Sequence, residues 1–276
     1  MSTDIRPPAV AGRFYPADAQ ELQSEVRTFT QSSEPTAVQP VKVRALGCIV
    51  PHAGYVYSGA VAGAVYRSLE LPSRYVILCP NHTGRGEPLA IMSQGSWQTP
   101  LGMVAIDTEL AEALKTRFPL LAEDEVAHRF EHALEVQLPF LQVLHPEFRL
   151  VPIAVGTGQF EVLSALGISL AAAIRELSDA VLVVTSSDMN HYESDSITRV
   201  KDRRAIDQIL ALKPRGLYEV IREAKISMCG YGPAVAMLTA TLKLGATKAE
   251  LIRYATSGDV SGDRQMVVGY AGIAIA

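Results

Sequence analysis

Three apolar, β-branched runs in this chain each end in a short polar turn that carries a histidine. Residues 46–50 lead into Pro51-His52, residues 75–79 into Pro80-Asn81-His82, and residues 181–185 into Ser186-Ser187-Asp188-Met189-Asn190-His191. Imidazole can ligate a transition metal at about 2.0–2.1 Å or move a proton near neutral pH. In the first two turns a proline stiffens the approach and a glycine, Gly54 or Gly84, lets the backbone leave sharply. Such a turn aims a side chain rather than burying it, so His52 and His82 are candidate metal ligands. The third turn adds a carboxylate. Asp188 lies three positions before His191, close enough to orient or charge an imidazole, either as support for a metal ligand or as an acid/base unit.

Two further residues belong with these turns. Cys229 directly precedes a helical run that begins near Gly230, with Pro233 suited to its first turn. The positive end of that helix is expected to lower the thiol pKa and favour the thiolate, which binds metals or attacks electrophiles. His132 stands in Glu131-His132-Ala133-Leu134-Glu135. On a helix Glu131 and Glu135 share a face that His132 does not, and the spacing is not the His-Glu-x-x-His of zinc proteases. His132 is therefore a candidate proton donor lining the pocket. His128 and His145 read as surface or helix-end residues. Residues 257–263 lack the spaced acids of a calcium loop and read as a turn-rich connection near the pocket rim.

Something must bring these turns together. Continuous apolar runs read as strands buried on both faces of an α/β sheet, where ligands gather at the carboxyl ends. If the three strands are parallel neighbours, their histidines converge on one pocket. Helical periodicity is expected over residues 18–30, 58–69, 108–117, 131–144, 160–177, 197–212 and 230–244. Further strands fit 89–92, 102–106, 148–155, 248–256 and 266–275, with the short pair near Trp97 as an antiparallel excursion. Residues 31–40 read as a connecting loop. The alternation predicts an α/β fold: a single-domain, three-layer α/β/α sandwich over residues 1–276, with a mixed, mostly parallel central sheet.

Composition narrows the function classes. The chain has 276 residues, 48% hydrophobic and 20% charged, with a formal net charge of −4. That balance leaves no basic footprint for nucleic acid or an anionic membrane surface. No apolar run reaches spanning length, and the first residues do not resemble a signal peptide, so a cytoplasmic protein is expected. The three cysteines form no spaced framework, and Cys48 and Cys79 fall inside strand runs as small core residues.

Read in order, residues 11–16 (Ala-Gly-Arg-Phe-Tyr-Pro), 51–59, 80–82, 131–135, 186–191, 229–230 and 257–260 resemble the landmarks of the Memo family. The resemblance runs from residue 11 to near the end of the chain. It implies a fold shared with class III extradiol dioxygenases, which are non-haem iron enzymes. It further implies a metal centre at His52, His82 and Cys229, with Asp188 and His191 beside it. Those dioxygenases use two histidines and a glutamate; cysteine at this place is softer and favours copper or a differently tuned iron. Prokaryotic members resemble one component of a system with a radical-SAM protein and an AMMECR-type protein.

The leading expectation is thus a dioxygenase-like, non-haem iron or copper site acting on a small molecule or peptide, with His191, Asp188 and His132 handling protons. A second reading is an inactive enzyme scaffold that binds proteins or peptides. A third is metal-free thiol catalysis by Cys229 with His191 as base.

Overall fold

The computed structural model describes residues 4–31 and 42–276. The loop expected over 31–40 therefore lies, Gln31 apart, outside the described residues. In chain order the elements are β1 (Ile5–Arg6), α1 (Ala19–Thr30), β2 (Gly47–Val50), α2 (Tyr55–Ser68), β3 (Arg74–Pro80), β4 (Leu89–Ile91), β5 (Ser96–Thr99), β6 (Gly102–Ile106), α3 (Thr108–Arg117), β7 (Ala122–Glu123) and α4 (Val126–Arg129). A 3-10 turn, Glu135–Gln137, then leads into α5 (Leu138–Leu144) and β8 (Arg149–Val155). The remainder is α6 (Phe160–Arg175), β9 (Val181–Ser186), β10 (His191–Glu193), α7 (Asp195–Leu210), α8 (Pro214–Glu223), α9 (Tyr231–Leu244), β11 (Ala249–Thr256), α10 (Gly258–Ser261) and β12 (Val267–Ile275).

Five strands, in the order β6-β8-β3-β9-β2, form a parallel centre. Antiparallel strands flank it, β5 against β6 and β12 against β2. The strands that lead to His52, His82 and Ser186–His191 are adjacent and parallel, as their apolar runs required. Leu78 pairs with Thr185 and Val50 with Ser186, so the three carboxyl ends finish nearly level.

Alternation along the central strands divides the core. Val76 and Leu78 of β3, with Val183 of β9, face the side covered by α3, α6, α7, α8 and α9. Tyr75, Ile77 and Cys79, with Leu182 and Val184, face α1, α2 and α5. The result is the mixed α/β sheet with helices on both faces. Cys48 and Cys79 are fully buried, unpaired core residues. No described helix is long and apolar enough to cross a membrane.

Three local expectations are corrected. Helix α2 starts at Tyr55 rather than Ser58; the Ser58 hydroxyl lies inside it and donates to the Ala53 carbonyl. Helix α8 was not foreseen, although Pro214 in its first turn and Leu217, Val220 and Ile221 on one buried face are its signals. The helix expected over 131–144 is regular only from Leu138. Residues 131–134 are not helical, because the Glu131 carboxylate captures the backbone N–H groups of His82 and Ala133 and so competes with the helix.

Candidate functional site

His52 follows β2 and is only 2% exposed. Its Nδ1 lies 3.0 Å from Ser186 Oγ at the end of β9. That hydroxyl spends its single proton on the Ala133 carbonyl and accepts from Gln137 Nε2 at 2.8 Å. Ser186 can therefore only accept from His52, which puts the ring proton on Nδ1 and leaves Nε2 bare. The bare nitrogen faces Cys229 Sγ at 3.2 Å and can accept its S–H, for which the Asp188 carbonyl at 3.7 Å is the other acceptor.

His82 follows β3 and is more exposed. Its Nδ1 is 2.9 Å from Glu131 Oε1, and its backbone N–H donates to Glu131 Oε2 at 2.6 Å. Burial alone would raise the Glu131 pKa, but the hydrogen bond and charge of His82, the Ala133 N–H and the charge of His132 bring it down to about 2. An ionised carboxylate only accepts, so His82 also carries its proton on Nδ1. The same Oε1 lies 3.5 Å from His132 Nδ1. One buried carboxylate thus supports two imidazoles.

The non-helical turn at 131–134 swings His132 inward. Its ring stacks on His82 with centroids 4.8 Å apart and meets the His52 ring edge-on at 5.3 Å. One ligand atom from each of His52, His82 and His132 lies within 4.8 Å of the others. Among the described residues this is the group of histidine, cysteine and acidic donors able to hold a metal ion. Burial, and then the charge of His82, lowers the His52 pKa to about 3. Burial, and then His52, lowers that of His132 to about 4. His52 and His132 are therefore neutral donors at pH 7, the form a metal requires. The donor set fits a transition ion.

Cys229, Asp188 and His191 line the same cavity of about 610 Å³, together with Phe14, Tyr192 and Val268. Cys229 is placed by a close approach that only glycine permits, since a Cβ on Gly230 would lie 2.5 Å from Ser187 Cβ. Its thiol pKa is not lowered, as its place before α9 suggested, but raised. Burial outweighs the helix end, and the neighbouring Asp188 carboxylate adds to it. Asp188 Oδ1 accepts the His52 backbone N–H at 2.8 Å, and its Oδ2 is 4.0 Å from His52 Nε2. Burial raises the Asp188 pKa, opposed mainly by that N–H. The His191 ring is held elsewhere, with Nδ1 3.0 Å from the Ser227 carbonyl. A carbonyl cannot donate, so His191 too keeps a bare Nε2.

Sequence reasoning missed the support beneath the site. Glu131, Ser186 and Gln137 orient the imidazoles, and Glu135 ties their turn to the chain's beginning. Its buried carboxylate pairs with Arg6 and accepts from the Ala9 and Val10 N–H groups and the Tyr15 hydroxyl. Arg6 also donates to the carbonyls of His128 and Glu131. The segment so anchored lays Phe14 against His132, centroids 4.7 Å apart. Within residues 257–263, the Asp259 carboxylate is paired with Arg199 and Arg264.

His128 is a correction. It is fully buried beneath this segment, edge-on to Trp97, and neither ring nitrogen reaches a hydrogen-bond partner. Burial, then the Arg6 charge, lowers its pKa to about 4. The unfolded chain binds a proton near pH 6.5 that the folded chain refuses until about 4, so stability falls as the pH drops through that window. His128→Leu, of similar volume, is expected to remove this acid sensitivity. In urea denaturation of the metal-free protein, wild type should lose on the order of 3 kcal/mol relative to the variant between pH 6.5 and 4. Parallel pH profiles would refute it.

Comparison with known proteins places the chain among relatives. A family model described as Memo-like protein matches residues 6–274. The chain is 45% identical over 273 residues to a MEMO1 family protein of Methanothermobacter thermautotrophicus, covering 97% of this chain and 99% of that one. It is also 45% identical to MEMO1 family proteins of Archaeoglobus fulgidus and Ignicoccus hospitalis, each alignment covering 98% of both chains. In fold it resembles the crystal structure of the uncharacterized protein JW3007 from Escherichia coli K12, with a TM-score of 0.52 and 14% identity, over 84% of this chain and 100% of that one.

Proposed function

This chain belongs to the Memo family, and from that premise we propose that it is a metal-dependent protein whose site holds iron or copper for redox chemistry on a small molecule. The observation that carries this reading is the convergence of His52, His82 and His132 within 4.8 Å on one cavity. Its volume, about 610 Å³, lies in the range of small-ligand sites. A bound ion would supply Lewis-acid and redox chemistry there.

The residues divide the remaining work. His52 and His82 are the ligands that family resemblance and geometry have in common. His132 offers the third imidazole. Cys229 offers a soft sulfur that ligates as the thiolate, so its binding to a metal releases a proton. His191 presents a lone pair on Nε2 that can accept a proton from a bound molecule. Asp188, with its raised pKa, can hold a proton beside His52. Phe14 and Tyr192 supply aromatic surface to the cavity wall.

The test is anaerobic titration of metal-free wild type, Cys229→Ser and His132→Ala with ferrous iron and with cuprous copper, each against a chromophoric chelator. Stoichiometric binding by wild type is expected. Cys229→Ser should lose copper affinity in preference to iron affinity, because thiolate is the softer donor. Wild type that competes for neither ion overturns the proposal.

A further inference from the structure

The loop between β9 and β10 and the segment before α9 carry His191 and Cys229 to the cavity from separate parts of the chain, and one buried residue joins them. We propose that Asn190 is a positioning residue, a latch that sets His191 and Cys229 relative to each other, with Ser227 as its joint.

Asn190 is fully buried and every polar group it has is used. Its Oδ1 accepts from the Ser227 N–H and hydroxyl, both at 3.1 Å. Its Nδ2 donates to Glu193 Oε2 at 2.7 Å and lies 3.3 Å from Thr198 Oγ1. Its backbone N–H donates to Asp202 Oδ1 at 2.8 Å, and its carbonyl accepts from the Gly269 N–H at 2.9 Å. One side chain therefore fastens the segment before α9 to the β9–β10 loop, while its backbone is pinned to α7 and β12. The anchor beneath is itself built closely. Asp202 Oδ2 accepts from the Tyr254 hydroxyl at 2.6 Å, and a Cβ on Gly269 would lie 1.8 Å from that oxygen.

Ser227 passes the constraint on in two directions. Its Oγ accepts the His191 N–H at 2.8 Å, and its carbonyl accepts from His191 Nδ1 at 3.0 Å, which fixes the ring proton. Two residues further along the same segment is Cys229, against His52. The turn being held is not one the chain adopts freely: Tyr192 has φ 59°, and the β10–β12 register shifts between His191 and Glu193. Such a conformation persists only where its surroundings over-determine it. Asn190 lies beside Asp188 and His191 in the sequence but lines no part of the cavity. It acts through its neighbours, and it does so with or without a metal.

The test uses the metal-free full chain and needs no ligand. Iodoacetamide labelling at fixed pH, followed by mass mapping, reads the accessibility of each thiol, with buried Cys48 and Cys79 as internal reporters of global unfolding. Asn190→Ala removes both bonds to Ser227 and is expected to raise the Cys229 labelling rate about tenfold, while Cys48 and Cys79 stay protected. Ser227→Ala, which keeps the backbone N–H bond, should raise it less. In long-range proton–nitrogen NMR spectra, His191 should change from a single Nδ1–H form in wild type to a mixture of tautomers in Asn190→Ala. The proposal is overturned if Cys229 labels at the wild-type rate in both variants, if Cys48 and Cys79 label alongside it, or if His191 keeps the single form.

Discussion

His52→Ala is expected to lower the affinity for iron and for copper roughly a hundredfold while leaving the protein folded. A metal site worth about 10–16 kcal/mol spread over four donors assigns about 3 kcal/mol to each. His52 deserves the full share because its geometry is prepared in advance. Gln137 and Ser186 hold its proton on Nδ1, so no tautomer has to be rearranged when Nε2 binds. The same substitution removes the nearer of two acceptors for the Cys229 thiol, leaving the Asp188 carbonyl at 3.7 Å, so both donors are disturbed together. The fold should persist, since His52 is a single buried ring at a strand end and the sheet beneath is closed by apolar contacts. Chelator competition gives the affinity and circular dichroism checks the fold. Unchanged affinity for both ions would place the metal elsewhere.

Glu131→Gln carries the second largest effect, and it acts without touching the ion. The amide can accept with one oxygen only, so the arrangement in which both carboxylate oxygens serve His82 and one also faces His132 is broken. Loss of such an orienting partner weakens metal binding by about 10–100-fold. The charge also stabilises the metal-free fold, because the Glu131 pKa stands at about 2 against an ordinary value near 4.5. With a depressed folded pKa, the unfolded chain takes up the proton first as the solution is acidified. The contribution, on the order of 3 kcal/mol, is therefore complete above pH 4.5 and disappears as the pH falls towards 2. Wild type and Glu131→Gln should differ most in urea at neutral pH and converge in acid. A stability gap that does not narrow would show that the carboxylate's charge is not what the turn depends on.

Both predictions concern features of different legibility. The strands bearing His52, His82 and His191 were readable because an uninterrupted β-branched run has few homes other than the middle of a parallel sheet. Their neighbouring order then followed the connections between strands and helices. The turn at 131–134 was not readable in the same way. Its residues favour a helix locally, and what prevents one is a hydrogen bond between Glu131 and His82, which lies 49 positions earlier. His132 therefore read as a proton donor lining the pocket and not as a third ligand, whereas the broken helix brings its ring onto His82. His128 misled for a related reason, since a histidine in a polar stretch looks exposed until Arg6 and Trp97 cover it.

The chain's pattern alone determined the alternation of strands and helices, the apolar faces that build the two halves of the core, and which titratable residues stand at the strand ends. Those are consequences of local periodicity and turn chemistry, and neighbours in sequence are enough to set them. Tertiary structure decided which imidazoles meet, which nitrogen of His52, His82 and His191 carries the proton, and in which direction the Cys229 thiol pKa moves. Burial and hydrogen-bond partners control those properties, and the partners arrive from distant segments. The positive end of α9 is a local effect; burial and the Asp188 carboxylate, brought about only on folding, outweigh it.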